Sequence, residues 1–401
     1  MVVVSTAVCS YAGCFVHERL YLIDGSGGTL VTYDPVTLER LSLQVTGLLV
    51  GMQSLTYGHG RLHSIEFNTG LWMDQLISIH PASAVATQVG PTGISYSTFP
   101  SVKYDSTRDE FFVLYQEFTT PAELWFPDLY SIDPASGQMT YIARVSSGPQ
   151  SPTFGALAMA ISPAGEAFVS QPSTLLNGPG IARLDLMTGA LAFLGYVPVG
   201  LGSFRDMSFD SSGRMWVIYD DGADNSKDGI YTIDPVALTF EPKLLTKDFP
   251  LSVMNAIAVV PLPAMSAYCE PSSQTMCAPT ISWKGLPSAT ADSGFPVSVR
   301  GTPSASIGMI LFGNGIQSSP FTGSTLCFAP PYIATAAAPS LPTGTGSACD
   351  GTWGIDLNPE ILAAGFAPGD TLRAQWIGLD PTAPPGERRV TSDALEFDLA
   401  P

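Results

Sequence analysis

The chain has 401 residues, 45% apolar and only 13% charged, with 39 glycines and 34 prolines. Average globular proteins hold about 25% charged residues and roughly 12% Gly plus Pro, so a chain both apolar and turn-rich excludes disorder and long helices and calls for many short strands. Its 17 basic and 35 acidic residues give a net charge of −18, a field that repels phosphate backbones and argues against nucleic acid, and no apolar run approaches the ~18 residues of a membrane span.

The first residues, MVVVSTAVCSYAGC, hold Cys9 and Cys14 and lack the basic and long apolar regions of a signal peptide. From Glu18 onward a repeat dominates. One phrase recurs as TLVTYDPVT, QLISIHPAS, DLYSIDPAS, GIARLDLMTG and GIYTIDPVA, its copies spaced 46, 53, 52 and 49 residues apart, a mean of 50. Each copy alternates apolar and polar residues as a strand and then turns, usually at Asp-Pro. A second phrase precedes it: ERLYLID, GRLHSIE, DEFFVLY, GEAFVSQ and GRMWVIY. A third stands before that in four repeats, as QSLTYG, SVKYDS, LAMAIS and DMSFDS, while the first repeat lacks it. The missing copy, NAIAVVP at Asn255 to Pro261, follows the fifth repeat instead, and an outer strand such as LSLQVTG or MTYIARV follows each turn. Four strands per repeat, with the last inner strand completing the first repeat, predict a five-bladed β-propeller over residues 1–262, its ring closed without free edges. A solenoid is the competing reading, and no terminal cap for one is evident.

At Pro263 the character changes. PLPAMSAYCEPSSQTMC is a Pro/Ser/Cys-bearing junction, and beyond it come FPVSVRG, GMILFGN, STLCFAP, TWGIDLN, TLRAQWIGL and ALEFDLAP. Six strand-like runs separated by Gly/Pro/Ser turns predict a small β-sandwich or jelly-roll-like module over 263–401. ATAAAPSLPTGTGSA reads as a loop pinned by Cys327 and Cys349. The six cysteines permit fifteen pairings; local pairs Cys9/Cys14, Cys269/Cys277 and Cys327/Cys349 are the simplest, each closing a short Gly-, Ser- or Pro-rich loop. Zinc spacing is absent, so disulfides and an exported protein are expected.

The repeat resembles the propellers of the NHL, lactonase-like and quinoprotein-like superfamilies, where LY-x-IDP-x-TG phrases recur. The region from 263 onward, with its FG, C-x-APP, CDG, PGD-x-L-x-AQW and SDAL-x-F phrases, resembles a C-terminal β-module common on uncharacterised exported proteins of Planctomycetes-type bacteria. The resemblance implies export and a surface or matrix location and transfers no catalytic residue.

Candidate binding residues lie in the connections that vary while the strands repeat. The second repeat inserts NTGLWMDQ with Trp72, and the third QEFTTPAELWFPD with Trp125 and Phe126, aromatic faces suited to sugars or a protein partner. The fifth inserts DDGADNSKDG, whose Asp220, Asp221, Asp224 and Asp228 have the oxygen chemistry of a calcium loop without the EF-hand spacing; a solvated acidic turn is the plainer reading. Glu66, Tyr115, Gln171 and Tyr219, with Asp24, end equivalent strands and are expected at a pocket rim or in hydrogen bonds between blades. Met52, Phe99, Phe154, Phe204 and Met254 recur ahead of the inner strands, as a collar or as packing. His63 occupies a slot aromatic in other repeats and reads as core, and His80 replaces a turn aspartate; with Glu66 they are the catalytic candidates of a hydrolase or lyase acting on extracellular polymers or lactones. No nucleophile elbow, phosphate loop or dinucleotide fingerprint is present. The leading expectation is a secreted or cell-surface, non-catalytic binding or structural protein facing an extracellular glycan or protein, with self-assembly a third class. Carboxylates within metal-binding reach of one another favour the enzyme; dispersed carboxylates beside exposed aromatics favour binding.

Overall fold

The computed structural model describes residues 18–24, 28–34, 40–46, 52, 54–68, 73–95, 101–115, 127–147, 158–171, 178–200, 202–221, 227–245, 254–263, 265–269, 277–304, 306–315, 319–321, 324–343, 348–380 and 388–401. The fifty-residue repeats become antiparallel ladders. The first supplies β1 (Glu18–Asp24), β2 (Thr29–Tyr33) and β3 (Arg40–Gln44), and the second β4 (Thr56–Gly58), β5 (Arg61–Asn68), β6 (Met73–Ile79) and β7 (Ala86–Ser95). The third gives β8 (Ser101–Asp105), β9 (Glu110–Tyr115), β10 (Asp128–Ile132) and β11 (Met139–Arg144). After the two-residue β12 (Ser146–Ser147), the fourth gives β13 (Met159–Ile161), β14 (Ala167–Gln171), β15 (Gly180–Leu184) and β16 (Ala190–Tyr196). The fifth gives β17 (Ser203–Phe209), β18 (Met215–Asp220), β19 (Gly229–Asp234) and β20 (Thr239–Leu245), and β21 (Met254–Pro261) follows. Sheet order matches sequence order within repeats two to five, while β21 pairs antiparallel with β1, Tyr21 facing Ala258, and so takes the first position of the first sheet.

Burial follows from this order. Middle strands are buried along their length, as in AFVSQ of β14, because each face packs on a neighbouring sheet; the outer β3 alternates exposed and half-buried residues. Turn chemistry recurs as well: Asp133, Asp185 and Asp234 each accept the N–H two residues on, at 3.0, 2.8 and 2.9 Å, the Asx turn that Asp favours. Apolar cores sit between consecutive sheets. Tyr21, Ile23 and Leu30 pack with Leu62 and Ile77, Ile65 and Leu76 with Val102 and Phe111, and Phe112 and Leu129 with Val169 and Leu184. Phe168 and Ile181 pack with Val217 and Tyr231, and Trp216 and Ile230 with Leu20 and Val31. The fifth sheet thus packs on the first.

Beyond Pro263 two sheets face one another over a core of Phe295, Val297, Val299, Ile310, Phe312, Trp353, Leu372, Trp376 and Phe397. Their strands are β22 (Met265–Tyr268), β23 (Thr280–Trp283), β24 (Pro296–Thr302), β25 (Ile307–Gly313), β26 (Ser319–Phe321), β27 (Ser324–Leu326), β28 (Ile333–Ala334), β29 (Ala338–Pro339), β30 (Leu341–Pro342), β31 (Gly351–Asp356), β32 (Thr371–Leu379) and β33 (Arg389–Asp398). One sheet runs β22-β33-β32-β25-β28, with β29 also on β25; the other runs β23-β24-β31-β30. The short α1 (Asn358–Ala364) carries a proline in its first turn and ends at the left-handed Gly365, φ 76°, the asymmetry expected of helix termini. No described helix is long and apolar enough to cross a membrane.

All six predicted runs contain strands. The local cysteine pairing is corrected: Cys269 bonds Cys327, and Cys277 bonds Cys349. Both bonds tie the junction to the body of the sandwich, because the fold brings the ends of β22 and β23 to the strands after β25 and before β31. Cys9 and Cys14 lie outside the described residues. The stretch read as a loop between Cys327 and Cys349 supplies β28, β29 and β30.

Candidate functional site

The inner strands meet at a buried ion pair. Lys103 Nζ of β8 lies 2.8 Å from Asp206 Oδ1 of β17, with the two side chains 4% and 1% exposed. Lys103 also donates to Leu55 O at 2.6 Å. The other carboxylate oxygen of Asp206 accepts Leu55 N–H at 3.1 Å and Ile257 N–H at 2.9 Å, and Ser54 Oγ reaches Oδ1 at 3.4 Å. One aspartate therefore joins strands of the first, third and fifth sheets and the segment that leads into β4 of the second. Burial pushes its carboxyl pKa up and the Lys103 ammonium pKa down, and their mutual attraction opposes both shifts. Four donors converge on this carboxylate, as a buried charge requires. The arrangement ties these segments together as a structural knot. The sequence shows Lys103 and Asp206 in the inner-strand phrases SVKYDS and DMSFDS, but nothing local to either phrase pairs them.

The second constellation is acidic. Asp220 ends β18 and Asp221 and Asp228 follow in the β18–β19 connection; one oxygen of each lies within 4.8 Å of the others, the group of this kind found among the described residues. Asp228 Oδ1 accepts Asp221 N–H at 2.8 Å. Burial raises the Asp228 pKa, repulsion from Asp220 and Asp221 adds to that, and the Asp221 N–H opposes it. Arg205 donates through Nε to Asp220 Oδ2 at 2.9 Å and through Nη1 to Asn255 Oδ1 at 3.0 Å. Tyr219 lies beneath, its hydroxyl pushed up to about 12 by burial and then by these aspartates. Three carboxylates in reach of one another can share a hard divalent cation; Arg205 competes for the same oxygens. Asp224 lies outside the described residues.

The remaining candidates are dispersed. His63 is buried on β5, edge-on to Phe111 at 4.8 Å, and burial lowers its pKa to about 4, as the core reading expected. Glu66, three residues along the same strand, is buried and accepts Gln75 Nε2 at 2.9 Å. His80 sits in the β6–β7 turn, but its ring crosses to the sandwich: Nδ1 accepts Ala82 N–H at 3.2 Å, and Nε2 lies 3.1 Å from Thr290 Oγ1 and 3.3 Å from Ser288 Oγ. Since Nδ1 accepts, Nε2 carries the proton and donates. Among the described residues the three make no metal-binding group. Tyr115, Gln171 and Tyr219 are buried, Tyr115 edge-on to Tyr130 and Tyr219 packed on Phe204. Phe204 and Met52 are buried too, as packing requires. Trp72, Trp125, Phe126, Phe99 and Phe154 lie outside the described residues, as do the side chains of Asp24 and Met254.

No protein-family model and no curated protein matches the chain. Among solved structures it is similar to Kuenenia stuttgartiensis hydrazine synthase, at 12% identity and a TM-score of 0.33, covering 53% of this chain and 58% of that one. It is similar to a protein of unknown function from Bacteroides caccae, at 9% identity and 0.35, covering 61% and 99%. A chain of a nidogen/laminin complex aligns at 9% identity and 0.38, covering 60% and 98%. Scores below one half do not define a shared fold; the architecture rests on the strand pairing.

Proposed function

We propose that residues 18–261 form a closed five-bladed β-propeller and that the chain is an exported, non-catalytic binding protein. Its variable-loop face would meet an extracellular glycan or protein, with the region from 263 onward as an accessory, anchoring or assembly module. Closure is supported by the cycle of apolar cores between consecutive sheets and by β21 on β1. Export is supported by the two disulfides. One observation carries the binding reading: where the inner strands converge, the Lys103–Asp206 pair is buried and held by backbone groups, and the acidic cluster sits instead at the end of β18 and in the β18–β19 connection. Calcium, if it is a ligand of this face, would be held by Asp220, Asp221 and Asp228.

The same cluster keeps a second reading in view, a metal-dependent hydrolase or lyase on extracellular polymers or lactones, since its carboxylates lie within ligating distance. Against it, all three come from the end of β18 and the connection that follows, and among the described residues neither His63, Glu66 nor His80 joins them. A polysaccharide panel incubated with the full chain, with calcium or with chelator, separates the two. Calcium-dependent pelleting without new sugar ends, lost in Trp72→Ala/Trp125→Ala, supports binding. New ends, lost in Asp221→Asn, support the enzyme; neither result removes glycans and leaves a protein ligand.

A further inference from the structure

In the second sheet of the sandwich, β30 covers only the start of β31: Leu341 lies opposite Thr352 and Pro342 opposite Gly351. The chain before β30 does not continue that ladder. Ser340 turns away, donating its N–H to Ser306 O at 2.7 Å, and Pro339 and Ala338 pair with Ile307 and Gly308 of the other sheet. Trp353 to Asp356 therefore run past the end of β30, still paired on their far side with β24. The direction of their backbone groups follows from the register. Thr343 N–H donates to Asp350 O at 3.0 Å next to β30, and hydrogen bonding in an antiparallel ladder alternates with a two-residue period. Thr352, Gly354 and Asp356 thus turn N–H and C=O toward the β30 side. Pro296, which has no N–H to offer, lies opposite Asp356 on β24, as this assignment requires.

A cleft of about 420 Å³ opens here, lined by Ser298, Arg300, Thr352 and Gly354 and walled by Pro339 and Leu341. Gly354 is exposed, and among the described residues no strand pairs with it on the cleft side. Arg300 is exposed and forms no ion pair among the described residues, in a chain with twice as many acidic as basic side chains. The lip is apolar: Leu341 is 67% exposed, and Ile307, opposite both Pro339 and Leu379, is 55% exposed. Natural sheets blunt or cover their edges; this one leaves a stretch of ladder open inside a walled cleft.

We infer that the open edge of β31 is a docking site for an extended peptide segment of a partner protein. The segment adds as a strand at the edge. It exchanges backbone hydrogen bonds with Gly354 and Asp356, lays apolar side chains on Leu341 and Pro339, and sets an acidic side chain against Arg300. The repeating N–H and C=O pairs match the two-residue period of a peptide strand, and the cation selects acidic sequences. This site is separate from the propeller face and stands or falls without it.

The test is selection of a phage-displayed random dodecapeptide library on the immobilised full chain with its disulfides intact. Recovered peptides are then resynthesised with and without alternate backbone N-methylation. The expected result is enrichment of proline-poor peptides containing Asp or Glu, with hydrogen-exchange protection of the Gly354 amide on binding. N-methylation of the pairing amides should weaken binding at least about ten-fold, and Arg300→Gln should remove the preference for acidic over basic peptides, a loss of about five-fold. Gly354→Pro deletes the N–H facing the cleft while sparing the β24 ladder, and should abolish binding; Leu341→Asp serves if that variant fails to fold. Absence of enrichment, or binding indifferent to N-methylation and to Arg300→Gln, overturns the inference. So does a concentration-dependent dimer that protects Gly354, which assigns the edge to a second copy.

Discussion

Removing one partner of the Lys103–Asp206 pair tests whether the meeting point of the inner strands is held by charge or by apolar packing alone. In Lys103→Met the Asp206 carboxylate keeps the Leu55 and Ile257 N–H groups, 3.1 and 2.9 Å away, but loses its cation inside the protein. In Asp206→Leu the Lys103 ammonium keeps only Leu55 O at 2.6 Å, and two buried backbone N–H groups are orphaned. Breaking a buried pair from one side costs about 3–5 kcal/mol, and each orphaned donor about 1–3 kcal/mol. Asp206→Leu is therefore the costlier change, at about 5 kcal/mol or more, against about 3 kcal/mol for Lys103→Met. In the double variant the uncompensated charge is gone, so its cost falls below the sum of the singles by at least about 2 kcal/mol. Urea unfolding of the disulfide-intact protein, followed by tryptophan fluorescence, measures all four corners; Trp216 lies in the core joining the fifth and first sheets and reports on that seam. Additive single and double variants, with a coupling under about 0.5 kcal/mol, would refute the ionic knot.

His80 and His63 both have pKa values lowered to about 4 by burial. A base whose folded pKa lies below the unfolded value of about 6.5 is stabilising only above that value, so stability falls as pH drops from about 6.5 to 4, by up to roughly 3 kcal/mol per ring. Denaturation midpoints across this range should fall in the parent and fall less in His80→Gln. The Cys277–Cys349 bond closes a sequence separation of 72 residues, for which loop entropy predicts about 4 kcal/mol; Cys277→Ser/Cys349→Ser should melt the sandwich at lower temperature, read as early exposure of Trp376 to quencher. Gly294 has φ +99°, and a side-chain carbon there would collide with Ala82 O. Gly294→Ala should cost about 1–3 kcal/mol and loosen the two halves, seen as a larger radius of gyration by small-angle scattering; an unchanged radius and melting temperature would show that the contact bears no strain.

Repetition made much of the fold readable. The recurring turn phrases, Asp-Pro in three of the five copies, marked the turns after the third strands, and the displaced copy at Asn255 to Pro261 pointed to its pairing with Glu18 to Asp24, since an inner strand missing at one end and surplus at the other has one economical use. The sandwich strands were readable because each run is bounded by Gly or Pro. What escaped was non-periodic. Met265–Tyr268 and Thr280–Trp283 are four-residue strands on either side of Cys269 and Cys277, too short for alternation to separate them from a linker. The cysteine pairing escaped for a related reason. Short loops minimise closure entropy, but partners are set by which strand ends the folded sheets bring together, and here those ends lie 58 and 72 residues apart. NPEILAAG carries helix-end signals at Pro359 and Gly365 that the prevailing strand pattern obscured.

The candidate site was legible only where chemistry was local. Asp220, Asp221 and Asp228 cluster because they are near in sequence, and the structure brings their oxygens together. Lys103 and Asp206 are more than a hundred residues apart, and no local pattern announces that their strands converge. The same distance hid the seam between the two halves. His80 reads locally as a substitute for a turn aspartate, yet its neighbours are Ser288 and Thr290, and Ala82 beside it packs with Leu286, Ala291 and Ala400. An aspartate at that turn would cap its own loop, as Asp133, Asp185 and Asp234 do in theirs. A histidine can still accept the Ala82 N–H through Nδ1 while donating across the seam through Nε2, which a carboxylate cannot do. The departure from the repeat at position 80 is thus explained by the one turn among these that must bond in two directions, and broken repeat positions elsewhere in such chains are the places to look for contacts that repetition itself cannot specify.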